Sequence, residues 1–223
     1  MMLNWLKHKE YPDFWNQYTK YFKDRKNNYL HTNRFVVFDT ETTGFDFKKD
    51  RVLSIGAISV VGNTMDVADS FEVYLRQEKF DSSTVEIHGI LKEGRIHKIS
   101  EKDAIIQFLY YIKDATLVAH HANFDINMIN TCLIRLGLPK LKNKVIDTGI
   151  LFKNTRLCSD KTKHYTLDEL CDFFNIKMHD RHTASGDAYI TGIIFLKIID
   201  FLTKAQNITL RDLFYNQKRR GLL

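Results

Sequence analysis

Proline is scarce in this chain. Pro12 and Pro139 stand alone among 223 residues, so no proline-rich linker divides it. Cysteine is scarce as well: Cys132, Cys158 and Cys171 are odd in number and widely scattered. That argues against a disulfide framework and fits a reducing compartment. Their spacing matches no zinc-binding pattern. No apolar run approaches the ~18 residues needed to cross a bilayer, and the stretch Met1 to Glu10 lacks an apolar core of the signal-peptide kind. A cytoplasmic protein with no membrane contact is therefore expected. Internal repeats and low-complexity tracts are missing too.

What is present belongs to a folded chain. Hydrophobic residues make up 44% and aromatics 13%, enough to exclude disorder, and the length suits one domain with a full core. The formal charge of +6 is unevenly spread. Residues 1–33 carry six Lys/Arg against three acids, and residues 203–223 carry five against one, while the 34–202 stretch is close to neutral. Basic ends suit contact with phosphates, although a solvated surface explains them equally well.

Periodicity divides the chain into a helical extension over 1–33, a main domain over 34–202 and a basic segment over 203–223. Tyr11, Trp15, Tyr18 and Phe22 fall at helical spacing, predicting an amphipathic helix that packs on the domain or adds a binding surface. Arg34–Asp39, with Phe35, Val36, Val37 and Phe38, reads as a short apolar strand. Val52–Val61 and Met65–Leu75 read as two more, joined at Gly62-Asn63 in a hairpin. Helices are expected over Asp103–Ile112, Phe124–Leu136, Thr166–Phe174 and Ala184–Leu202. Strands are expected at Thr116–Ala119 and Lys144–Ile146. Thr166 with Glu169 is a capping-box pattern, and the last helix is apolar almost all round, which predicts burial. Paired strands followed by alternating strands and helices point to a layered α/β fold.

Within this frame lie four carboxylates and a histidine: Asp39 and Glu41, Asp125, then His182 and Asp187. Singly, each has a plain explanation. Asp39 and Glu41 can end a strand, Asp125 can answer a helix dipole, and a loop histidine is usually solvated. Together they say more. Residues two apart on a strand face one side, so Asp39 and Glu41 project together. On a continuous helix His182 and Asp187 would point ~140° apart, so joint action requires His182 on the loop before the helix. Carboxylates are rarely buried unless paired or bound to a cation. Two hard cations held by carboxylates form a clamp for displacement at phosphorus, and an imidazole can take the proton of the attacking water.

Three segments carry a resemblance: Asp39-Thr40-Glu41-Thr42-Thr43-Gly44, His121-Ala122-Asn123-Phe124-Asp125, and His182 followed by Asp187. The chain resembles the DEDDh exonucleases, a family that includes the proofreading ε subunit of bacterial DNA polymerase III, RNase T and oligoribonuclease. The resemblance implies a ribonuclease H-like fold, a five-stranded mixed sheet flanked by helices, here with an added N-terminal helix. It also implies hydrolysis of DNA from a free 3′ end to 5′-mononucleotides with two divalent cations, Mg²⁺ or Mn²⁺, in proofreading or repair. On this resemblance Asp39, Glu41 and Asp187 hold one metal, Asp39 and Asp125 the second, and His182 is the general base. Thr42, Thr43, Gly44, His88 and Asn123 lie near the terminal nucleotide. An RNA exonuclease of the RNase T or oligoribonuclease type, and a proofreading subunit docked on a DNA polymerase, are the alternatives.

Overall fold

In the computed structural model, described here for residues 10–23, 29–79, 85, 89–92, 95–205 and 207–215, a six-stranded mixed sheet carries helices on both faces. The expected hairpin is present. Strand β1 (Arg34–Thr42) pairs antiparallel with β2 (Val52–Val61), and β2 turns at Gly62-Asn63 into β3 (Thr64–Leu75). Strand β4 (Lys98–Ile99) runs parallel to β3 at one edge. On the other side, β5 (Thr116–Ala119) pairs parallel with β1, and β6 (Val145–Asp147) parallel with β5. The order is β4-β3-β2-β1-β5-β6. The sixth strand is the departure from the expected five. At two residues it is too short to show an alternating pattern, and it is fixed by backbone pairing, with Arg76 N donating to the Ile99 carbonyl at 2.7 Å.

Alternation along β1 splits the core. Val36 and Phe38 face one layer, built from α1 (Asp13–Lys20), α2 (Glu101–Ile112) and α3 (Asn123–Arg135). Phe35 and Val37 face the other, built from α4 (Thr148–Lys153), α5 (Leu167–Phe174), α6 (Ala184–Ala205) and the short α7 (Asp212–Tyr215). Helix α4, unforeseen in the sequence pattern, starts where Asp147 accepts from Ile150 N at 3.0 Å. The capping box of α5 forms as expected: Glu169 N donates to Thr166 Oγ1 and Thr166 N to Glu169 Oε2. Helix α6 corrects the expectation of all-round burial. Ala188, Ile194, Phe195 and Ile198 are buried, but Tyr189, Lys197 and Asp200 form an exposed side.

The N-terminal helix belongs to the core. Trp15 is 2% exposed and Tyr18 fully buried, and both join the layer of α2 and α3. Tyr18 Oη donates to Asn143 Oδ1 at 2.6 Å and accepts from Lys142 N at 2.8 Å, so its polar end is satisfied. Ile208 and Leu213, beyond α6, are buried in the opposite layer. His88, residues 216–223 of the basic C-terminal segment and the remainder of the expected helix beyond Lys23 lie outside the described residues.

Candidate active site

The parallel strands β1 and β5 pair only as far as Val37↔Val118. Beyond that point β1 continues without β5, at the carboxyl ends of the strands, the usual place for a site in such sheets. Asp39 and Glu41 lie on this stretch, opposite Gly56 and Ser54 of β2. They share the face covered by α6, as the two-residue spacing predicted.

Helix α6 brings Asp187 to the same face. A side chain on Gly56 would forbid this, because a Cβ there would sit 2.2 Å from the Ala184 carbonyl carbon and Ser185 N. Glycine at the position facing Asp39 therefore lets the first turn of α6 lie directly on the sheet. Ser185 Oγ donates to Glu72 Oε1 at 2.5 Å and ties the same turn to β3. Thr183 caps the helix, its Oγ1 accepting from Gly186 N at 3.1 Å. Carboxylate oxygens of Asp39, Glu41 and Asp187 all fall within 4.8 Å of one another.

Asp125 enters from the other layer, in the first turn of α3. It is buried, and its Oδ1 accepts from Thr40 N at 3.0 Å and Thr40 Oγ1 at 2.7 Å. Asp125 thus takes the backbone donor that β5 would have engaged had the two strands stayed paired. It stands outside the three-carboxylate group but acts on it by charge, raising both Asp39 and Glu41.

The electrostatics are those of a site short of positive charge. Asp39 is held well above the ordinary carboxylate range, first by burial and then by the charges of Asp125, Asp187 and Glu41. Glu41 is pushed up to about 7, again by burial first and by Asp187 and Asp125 next. Burial also raises Asp125, against the hydrogen bonds from Thr40. Arg181 opposes the trend. Its Nε pairs with Asp168 Oδ1 at 2.7 Å and its Nη1 with Asp187 Oδ1, and its charge lowers both Asp39 and Glu41. Three clustered, hard oxygen donors that resist ionisation together suit a divalent cation, which would supply the missing charge.

His182 lies on the turn before α6, as joint action with Asp187 requires, and is exposed. Asp180 (φ 53°) and His182 (φ 63°) are both left-handed, and the turn folds back so tightly that a Cβ on Gly186 would fall 2.1 Å from the Asp180 carbonyl oxygen. Arg181 braces this turn by linking the starts of α5 and α6.

Thr42 and Thr43 are buried, and their hydroxyls serve the loop itself. Thr42 Oγ1 donates to the Gly44 carbonyl at 2.8 Å and Thr43 Oγ1 to Asp50 Oδ1 at 2.9 Å. Asp50 also takes Lys79 Nζ at 2.5 Å. Their contribution is the shape of the turn that presents Gly44 and Phe45. Asn123 is exposed at the start of α3, its Oδ1 accepting from Asn127 Nδ2 at 3.1 Å. His120 is a structural residue: Nε2 donates to the Tyr165 carbonyl at 2.9 Å, and burial lowers it to about 3.

Sequence reasoning missed Arg181 and an aromatic surface. Phe45, 84% exposed, and Phe47 each lie 5.7 Å from the Phe124 ring, centroid to centroid, beside Asp125. The available signal was position: Phe45 follows the Thr-Thr-Gly turn and Phe124 precedes Asp125.

A mixed sheet with acidic residues converging at its strand ends, flanked by helices and edged with aromatic rings, defines a nuclease-like α/β enzyme. The family model for exonucleases of the RNase T type matches residues 36–195, and the chain belongs to that family. It is 35% identical over 169 residues to the PolC-type DNA polymerase III of Caldanaerobacter subterraneus subsp. tengcongensis, and 33% identical over 172 residues to that of Bacillus subtilis. These alignments cover 75% and 76% of this chain but 12% of each relative, so the chain spans about an eighth of their length. Among solved structures, E. coli exonuclease I in complex with a dT13 oligonucleotide has a TM-score of 0.65 at 16% identity, over 78% of this chain and 42% of that one. Exonuclease X in complex with 5′-overhanging duplex DNA has a TM-score of 0.59 at 22% identity, over 78% and 94%. These likenesses establish the ribonuclease H-like fold.

Proposed function

We propose that this chain is a 3′–5′ exonuclease that removes 5′-mononucleotides from single-stranded or frayed DNA ends. The observation that carries the reading is the convergence of Asp39, Glu41 and Asp187 within 4.8 Å, with buried Asp125 held against the same strand by Thr40. Asp39, Glu41 and Asp187 would hold one Mg²⁺ or Mn²⁺, and Asp39 with Asp125 a second. Bound there, the cations stabilise charge on the attacked phosphate and on the leaving oxygen. His182 takes the proton of the attacking water. The water oxygen bonds to phosphorus as the bond to the neighbouring 3′ oxygen breaks, which leaves a 5′-monophosphate and a shortened strand. Phe45 and Phe124 offer faces for stacking unpaired bases, which favours single strands over duplex.

Matched single-stranded DNA, duplex DNA, 3′-mismatched DNA and RNA, each with Mg²⁺ and with Mn²⁺, test the reading. Single-stranded and mismatched DNA should be degraded fastest. A 3′-phosphate should block the reaction and a 5′-phosphate should not. Cutting of a closed circular strand would overturn the exonuclease assignment, and faster turnover of RNA would overturn the choice of DNA.

A second reading concerns setting. The relatives' names, PolC-type DNA polymerase III, favour proofreading beside a polymerase. Co-purification with a polymerase, and faster removal of mismatched than matched termini by the complex, would support it.

A further inference from the structure

Lys153, in α4, is 6% exposed. Lysine is almost never buried this far without a partner, because an unpaired ammonium is costly away from water. Yet among the described residues the Lys153 ammonium makes no hydrogen bond and no ion pair. The carboxylate lining the same cavity is Asp147, whose two oxygens accept from Ala122 N and Ile150 N.

Lys153 borders a cavity of about 360 Å³, within the ~300–1,000 Å³ typical of ligand pockets. Phe47, Phe124, His121, His164 and Tyr165 line it too. Two observations place it next to Asp125. Asn123 and Phe124 on its wall immediately precede Asp125, and the charge of Asp147 acts on Asp125. A lysine without an ion pair among the described residues, on a cavity wall shared with aromatic rings, matches one nucleotide unit, with its phosphate at the lysine and its base against the rings.

We propose that Lys153 forms a subsite for an internal phosphodiester of the bound strand, upstream of the bond being cleaved. The inference rests on the exonuclease reading and adds to it a contact that grips the strand between cleavage events. Lys153 is then a substrate-binding residue remote from the bond that breaks, so it acts on KM and leaves kcat alone. It also sets a minimum length for efficient substrates, since a strand too short to reach the subsite loses the contact.

The test uses the full chain and single-stranded DNA with one uncharged methylphosphonate at the second, third or fourth linkage from the 3′ end. In the wild type, one of these positions should raise KM by about tenfold or more, the weight of one hydrogen bond to a charged group, with kcat within about twofold. Lys153→Met should raise KM for the unmodified strand by a similar factor and be indifferent to the methylphosphonate at that position. Lys153→Arg should restore both. The slope of log affinity against log salt, measured by anisotropy with Ca²⁺, should shrink by about 0.7 in Lys153→Met. A methylphosphonate penalty that persists in Lys153→Met, or an unchanged KM in that variant, would overturn the subsite. Should Lys153→Met fail to fold, a flat methylphosphonate scan in the wild type overturns it alone. Inhibition by free 5′-dTMP that depends on Lys153, with a flat scan, would assign the cavity to the product instead. Failure of the exonuclease reading looks different: the wild type then releases no mononucleotide from the unmodified strand.

Discussion

Single substitutions separate the roles within the site. His182→Ala removes an exposed imidazole from the turn before α6 and leaves all four carboxylates in place. Mn²⁺ uptake, followed by calorimetry, should be retained while kcat falls by roughly 10²–10⁴, the usual weight of a general base. Asp39→Ala removes the group at the centre of the mutual repulsion, and both Mn²⁺ uptake and turnover should fail. A second prediction concerns protons. Glu41 rises from 4.5 to about 7 on folding, and Asp39 and Asp125 also rise. A carboxyl with a raised folded pKa binds its proton more tightly in the folded state than in the unfolded chain. Its contribution to stability is therefore full below the unfolded value and lost as pH rises through the folded one. With metal chelated, Tm should fall between about pH 4.5 and pH 7, the reverse of the ordinary carboxylate case. Saturating Mn²⁺ should flatten that fall, because a bound cation stabilises the charged forms. A metal-free Tm that climbs across the same window would refute the assigned environment of these groups.

Elements are placed by contacts that leave no room for substitution. Gly56→Ala would drive a methyl group into the backbone of Ala184 and Ser185, 2.2 Å away, and only movement of α6 relieves it. Overpacking of this kind costs about 1–3 kcal/mol. The same movement withdraws Asp187 from Asp39 and Glu41, so Mn²⁺ affinity should fall along with Tm. A variant with lowered Tm and unchanged Mn²⁺ affinity would show that α6 shifts without carrying Asp187. At this scale the sequence was informative where a local rule governs. The Gly62-Asn63 hairpin, the Thr166–Glu169 capping box and the loop position of His182 each follow from neighbours within a few residues. The contacts that escaped it are tertiary. Nothing local states that Arg181 bridges Asp168 and Asp187, that the Thr42 and Thr43 hydroxyls turn into their own loop, or that two residues at Lys98–Ile99 complete a sheet. Composition also cannot say which side of α6 meets solvent, which is why Tyr189, Lys197 and Asp200 were missed.

Across the whole molecule, the N-terminal helix and the six-stranded sheet share one core layer. The stripe of Tyr11, Trp15, Tyr18 and Phe22 was legible as amphipathic, but its choice between packing and binding rested on what it meets. Trp15 and Tyr18 meet the layer of α2 and α3, and Tyr18 is held through Asn143 and Lys142. Removing residues 10–23 should lower Tm substantially, while the salt dependence of DNA binding keeps its slope. A lost salt slope at constant Tm would instead make α1 a nucleic-acid surface. Tyr18→Phe is the milder version. It strands the Lys142 amide and the Asn143 side chain, and chemical denaturation should register a loss of about 1–3 kcal/mol.

The parting of β1 and β5 after Val37 leaves the Thr40 amide proton in the hands of Asp125 rather than of a neighbouring strand. That proton is a built-in reporter on the site. Its nuclear magnetic resonance shift and its exchange with deuterium answer to one carboxylate oxygen, and through it to whatever else that carboxylate holds. Titration with Mg²⁺ should move the Thr40 amide resonance more than those of its strand neighbours Val36 and Val37, and Asp125→Ala should speed its exchange while theirs stay slow. Occupancy on the α3 side of the site can thus be followed in solution without substrate and without turnover.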